Sequence, residues 1–119
     1  MAKVLLVGYI PELLLERERL LRSAGHTVTI APDFATASAA IGQGTFDAAV
    51  LGFSVPEEER NQIARRLKDS HPATKIIMIY FASVRNTELA DALMQTTATA
   101  EDIVRAVNHL LSERDKKTG

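Results

Sequence analysis

The stretch Lys3-Val-Leu-Leu-Val7-Gly8-Tyr9-Ile10-Pro11-Glu12 decides how the rest of the chain reads. Val4 to Val7 is a short uninterrupted apolar run, the pattern of a strand buried on both faces of a parallel sheet. It breaks at Gly8-Tyr9, and Pro11-Glu12-Leu13-Leu14 then opens a helix. Ala24-Gly25 closes that helix, in the Pro-first, Gly-last order that helix ends favour, and Thr27-Val28 begins a second strand. One strand, one crossover helix and a second strand are therefore laid out in the first thirty or so positions, the unit from which parallel sheets are built.

Moving outward, the same alternation repeats. Strands are expected at Lys3 to Val7, Thr27 to Ala31, Ala48 to Leu51 and Lys75 to Tyr80. Asp33 caps a helix of small residues that reaches Ile41 and is stopped by Gly42 and Gly44. Ser54, with Glu57 three positions on, reads as a capping box, with Pro56 in the first turn of a helix that ends before His71-Pro72. A last helix begins near Thr99 to Asp102 and carries Ile103, Val107, Leu110 and Leu111 on one stripe. Residues 1–112 are expected to form one domain and 113–119 a polar tail that frays.

A chain of 119 residues supports one core and not two. Its 14 basic and 15 acidic residues leave the net charge at −1, which offers no footprint for nucleic acid. The absence of cysteine removes a disulfide framework and thiolate zinc sites, and fits a reducing, cytoplasmic setting. The apolar run after Lys3 is too short for a signal-peptide core or a membrane span. His26, His71 and His109 are scattered without ligand-spaced partners, and Gly42-Gln43-Gly44 precedes a strand instead of following one, so neither a metal site nor a phosphate loop is read. Glu12 and Glu57 are first-turn acids that favour their helix dipoles.

Order and spacing over Lys3 to Leu111 resemble response-regulator receiver domains. The resemblance rests on the first strand and its loop, on Ala24-Gly25-His26-Thr27-Val28, and on Phe46-Asp47-Ala48-Ala49-Val50-Leu51-Gly52-Phe53-Ser54-Val55-Pro56. It implies a flavodoxin-like, CheY-like three-layer α/β sandwich with a five-stranded parallel sheet of order 2-1-3-4-5. Only residues 81 to 91 separate Tyr80 from a fifth strand at Ala92-Leu93-Met94, and a parallel connection needs roughly a dozen residues. The family's fourth helix is therefore expected to be shortened or missing, an irregular segment around Asn86 to Leu89. A competing reading makes Asn86 to Met94 one helix and abolishes the fifth strand.

The resemblance also implies a lost active site. The metal-binding acids of the family fall on Gly8 and Tyr9, and the phosphoacceptor aspartate, counted back from Pro56, falls on Gly52. The hydroxyl residue after the fourth strand falls on Tyr80, the lysine after the fifth strand on Thr96, and the switch aromatic on Leu93. Glycine carries no nucleophile, and magnesium needs at least one or two carboxylates. No catalytic residue, metal site or cofactor is expected, and Tyr80 or Tyr9, or both, are expected to occupy part of the vacated pocket.

What remains is a pseudo-receiver: a phosphorylation-independent protein-interaction module of two-component, phosphorelay signalling, and not an enzyme. Its expected partner is a signalling protein or a second copy of itself in a constitutive homodimer, with neither nucleic acid nor membrane involved. On the first helix, Leu13, Leu14, Leu20, Leu21 and Ala24 form an apolar arc that includes Arg17, while Leu15 points away from its centre. Leu15, with Leu89, Leu93 and Val104 near the family's output face, marks the expected interaction surface. The alternatives are an active receiver whose acceptor has moved to Ser54 or Asp47, and a small flavodoxin-like ligand-binding protein.

Overall fold

A computed structural model describes residues 2–80 and 88–118, with side chains as far as Glu113. Five strands, β1 (Lys3–Val7), β2 (Thr27–Ala31), β3 (Ala48–Leu51), β4 (Lys75–Tyr80) and β5 (Ala92–Gln95), form one parallel sheet in the order β2-β1-β3-β4-β5. All four strand pairings are parallel, and Val7 stands beside both Ala31 and Leu51 in register. The helices are α1 (Pro11–Ser23), α2 (Phe34–Gln43), α3 (Glu57–Ser70) and α4 (Ala100–Thr118).

The period of two along each strand divides the core. Val4, Leu6, Val50, Ile77 and Ile79 face Leu14 and Leu21 of α1 and Ile103, Val107 and Leu111 of α4. Leu5, Val7, Ala49, Leu51, Ile76 and Met78 face Ala37 and Ile41 of α2 and Ile63, Ala64 and Leu67 of α3. Because both faces of the sheet are covered, its inner strands have no polar side, which is why they read as unbroken apolar runs.

The local signals worked unevenly. Pro11 does start α1, and Gly25 follows its end at φ +95°, a conformation that glycine adopts without a steric penalty. The Asp33 carboxylate accepts the Thr36 N–H at 2.7 Å, as a cap should. Gly42, however, lies inside α2, which runs to Gln43 with Gly44 as its extended cap. A single glycine costs a helix interior only about 1 kcal/mol, too little to end one whose apolar face is already docked. The capping box proposed at Ser54 does not form: α3 has Pro56 at its N-cap with no side-chain cap, and the Ser54 hydroxyl is used elsewhere. A reciprocal box forms instead at α4, where Asp102 N–H donates to Thr99 Oγ1 and Thr99 N–H to Asp102 Oδ2. Past residue 112 the chain stays helical to Thr118, so the tail prolongs α4 where fraying was expected. Glu, Arg and Lys are good helix formers and need no buried face to extend a docked helix.

β5 is present, which excludes the single helix over Asn86 to Met94. Asp91 fastens it to the sheet: its N–H donates to Ile76 O, and its carboxylate accepts Ile76 N–H at 2.7 Å and Lys68 Nζ at 3.0 Å. The four described helices span 10 to 19 residues, and none is shortened. The shortened helix expected between β4 and β5 falls largely on residues 81–87, which lie outside the described residues; Glu88 to Asp91 form a turn and bend. Among the described residues no helix is long and apolar enough to cross a membrane.

Candidate functional site at the C-terminal edge of the sheet

In open parallel sheets, ligands and catalytic groups collect beyond the carboxyl ends of the strands. At that edge Gly8 and Gly52 continue β1 and β3: Gly8 N–H donates to Ala31 O at 3.2 Å and Gly52 N–H to Val7 O at 2.8 Å. The chain then turns, with Val55 N–H returning to Gly52 O. Both glycines are packed close. A Cβ on Gly8 would lie 3.3 Å from Leu14 Cδ2, and one on Gly52 would lie 3.1 Å from Val7 O and 3.3 Å from Arg17 Nη1.

The last distance is the central feature of the site. Arg17 lies between Leu14 and Leu21 on the buried stripe of α1, at spacings of three and four, and is only 6% exposed. Its stem follows the helix face and its guanidinium comes to rest over Gly52, where an acceptor side chain would stand. Burial pulls its pKa downward, opposed by the nearby Glu16 carboxylate. An arginine nonetheless stays charged. No hydrogen bond or ion pair to its guanidinium is found among the described residues. The sequence places Arg17 in the apolar arc of α1, and the structure carries its guanidinium to Gly52.

Tyr9 does not fill this position. Tyr9 turns toward the α2–α3 side, where it packs beside the core cluster of that face. Its N–H donates to Ser54 Oγ at 2.8 Å, and its hydroxyl donates to Glu59 Oε1 at 2.6 Å. Burial, then the Glu59 hydrogen bond and the charges of Glu59 and Asp33, hold the phenol well above its ordinary pKa. Tyr80 is half-buried at the end of β4, where its carbonyl accepts the Thr96 N–H at 3.1 Å. Beside Gly52 stands Arg17 and not Tyr9.

The Tyr9 contact has a consequence at high pH. The folded state retains a proton that the unfolded chain releases near the ordinary phenol pKa of about 10, so this contribution is complete below that pH and fades as pH rises above it. A spectroscopic titration of phenolate should show one of the two tyrosines ionising late. Tyr9→Phe should abolish the late phase and cost about 1 kcal/mol. A late phase that survives the substitution would contradict the assignment to Tyr9.

Arg17 also lines a cavity of about 310 Å³ between α1 and the β5–α4 loop, together with Leu13, Glu16, Phe53, Thr96 and Thr99. Thr96, on which the family's lysine falls, thus faces a space whose cation comes from a different helix. The residues present do not fit magnesium. Gly8 and Gly52 supply no carboxylate, Tyr9 is turned away, and a fixed positive charge stands beside Gly52. Among the described residues no three His, Asp or Glu side chains converge on one point.

No family model matches the sequence, and no curated protein matches it significantly. Solved structures do match. A CheY-like response regulator receiver domain protein from Methanospirillum hungatei JF-1 superimposes with a TM-score of 0.87 at 23% identity, covering 98% of each chain. The fold is that of a CheY-like receiver domain. A response regulator receiver protein from Sinorhizobium medicae WSM419 gives 0.82 at 24% identity, over 94% of this chain and 95% of that one. A Thermotoga maritima response regulator solved in complex with Mg(2+)-BeF gives 0.78 at 18% identity, over 92% and 99%. At such identities the likeness establishes the receiver fold and leaves the chemistry to the residues.

The positions expected to form an interaction surface are not one patch on this receiver fold. Leu15 is 61% exposed on α1 and Leu93 47% exposed on the edge strand β5. Leu93 stands in register with Met78, on the α2–α3 face of the sheet, whereas α1 covers the opposite face. Leu89 and Val104 are half-buried against the cores of those two faces.

Proposed function

We propose that this receiver-like domain is a phosphorylation-independent protein-interaction module of two-component, phosphorelay signalling, working in the cytoplasm without metal or turnover. The observation that carries the reading is the Arg17 guanidinium 3.3 Å from the Cβ position of Gly52. It adds a built-in cation to a site already without a nucleophile. Repulsion between a bound divalent ion and this charge opposes the metal that phosphoryl transfer uses.

Relocation of the acceptor has little support. Asp47 sits at the opposite end of β3, where its carboxylate accepts the Lys3 N–H at 2.8 Å, roughly 16 Å from Gly52 by strand rise. Ser54 Oγ is engaged by the Tyr9 N–H and binds the β3–α3 loop to the end of β1, a structural task. The partner in this reading is another protein or a second copy of the chain, not nucleic acid or membrane, and Leu15 and Leu93 are the apolar contacts available to it.

Sedimentation of the domain with and without acetyl phosphate and magnesium tests the reading. The association state is expected to be the same in both conditions. Leu15→Asp or Leu93→Asp should weaken any self-association without loss of fold. A shift in association on adding phosphodonor would contradict the proposal.

A further inference from the structure

We propose that the cavity beside Arg17 is a binding site for a small organic oxyanion, a carboxylate or phosphate monoester carrying a compact apolar group. The inference rests on the reading that Gly52 takes part in no phosphoryl chemistry, and reaches beyond it by giving the altered pocket a ligand.

Two independent observations place the site. Arg17 is 6% exposed, lines the cavity, and has no hydrogen-bond or ion-pair partner for its guanidinium among the described residues. A largely buried guanidinium without a protein partner is open to an oxyanion, the ligand whose geometry its fork matches in two parallel hydrogen bonds. On the other wall stands the start of the 19-residue helix α4. Its Asp102 and Ile103 N–H groups are taken by Thr99, and the N–H groups ahead of them have no partner within a helix. The positive end of the helix dipole and Arg17 therefore border the same space. Thr96 and Thr99 add polar lining, while Leu13 and Phe53 add apolar wall.

The volume of about 310 Å³ is at the lower end of ligand pockets, which suits a molecule of metabolite size and excludes a large cofactor. Two carboxylates act against the anion: Glu16 lines the cavity, and Asp102 caps the helix. Glu16→Gln should accordingly tighten binding. In charge the site is the reverse of a magnesium pocket.

The test is a titration of the full chain, labelled with ¹⁵N, with benzoate, phenyl phosphate and inorganic phosphate at ionic strength held constant with chloride. The Arg17 Nε–H signal and the backbone amides of Thr96 to Ala100 should shift saturably with benzoate or phenyl phosphate, and the stronger of the two identifies the head group. Arg17→Met should weaken binding at least about tenfold, the loss of one charge-assisted contact. Glu16→Gln, which leaves the buried stripe intact, should strengthen it. Shifts that do not saturate, that map elsewhere, or that persist unchanged in Arg17→Met would overturn the site. Equal affinity for inorganic phosphate and phenyl phosphate would overturn the role given to Leu13 and Phe53. Intact mass after acetyl phosphate treatment addresses Gly52 separately, so an unmodified protein that binds no probe refutes the site alone.

Discussion

Replacing Arg17 with methionine should stabilise the domain by about 1 kcal/mol, because it removes a largely buried charge without a protein partner while keeping most of the stem that packs between Leu14 and Leu21. For a domain of this size that corresponds to a rise in Tm of several degrees. Arg17→Ala should keep less of the gain, since it also deletes the stem and leaves a cavity. Urea unfolding of the three proteins at neutral pH measures the effect. A loss of more than about 1 kcal/mol in Arg17→Met would mean that the guanidinium is an integral tie of the fold and not an unmatched group.

Gly52→Asp and Arg17→Met should be strongly coupled. A side chain at 52 begins 3.3 Å from Arg17 Nη1, so an aspartate introduced there meets the guanidinium as a buried ion pair, against the close approach of its Cβ to Val7 O at 3.1 Å. With methionine at 17 the same carboxylate is buried without a partner, a situation that costs about 3–5 kcal/mol when a buried pair is broken. A double-mutant cycle should therefore give a coupling energy of about 3 kcal/mol. Additivity within about 0.5 kcal/mol would show that the two positions do not touch.

How far the sequence could be read depended on how local each signal was. The sheet was legible because its inner strands are covered on both faces and so appear as continuous apolar runs; the limits expected for β1 to β4 match those observed. β5 was harder: at the edge it carries half-buried Ala92 and Met94 between exposed Leu93 and Gln95, and its attachment through Asp91 to Ile76 and Lys68 joins residues far apart in the chain. Ser54 matched a local capping pattern, yet its hydroxyl serves the Tyr9 N–H across 45 positions.

The site follows the same rule. Gly8 and Gly52 could be placed from the order of the segments alone, since their importance is the lack of a side chain. Tyr9 could not be oriented, because its direction is set by Glu59 on α3. Arg17 did leave a signal. A charged residue in the middle of an apolar stripe must either lie along it and reach solvent or carry its charge inward, and only the tertiary structure decides between the two.

The most direct measurement of the central claim is the intact mass of the wild-type domain and of Gly52→Asp after incubation with acetyl phosphate and magnesium. The account predicts that neither protein changes mass: the first has no carboxylate at the acceptor position after β3, and in the second the new carboxylate is paired with Arg17, with no acidic cluster among the described residues to bring a metal to it. A phosphoryl adduct on the wild-type chain, at Ser54, Asp47 or any other residue, would contradict it.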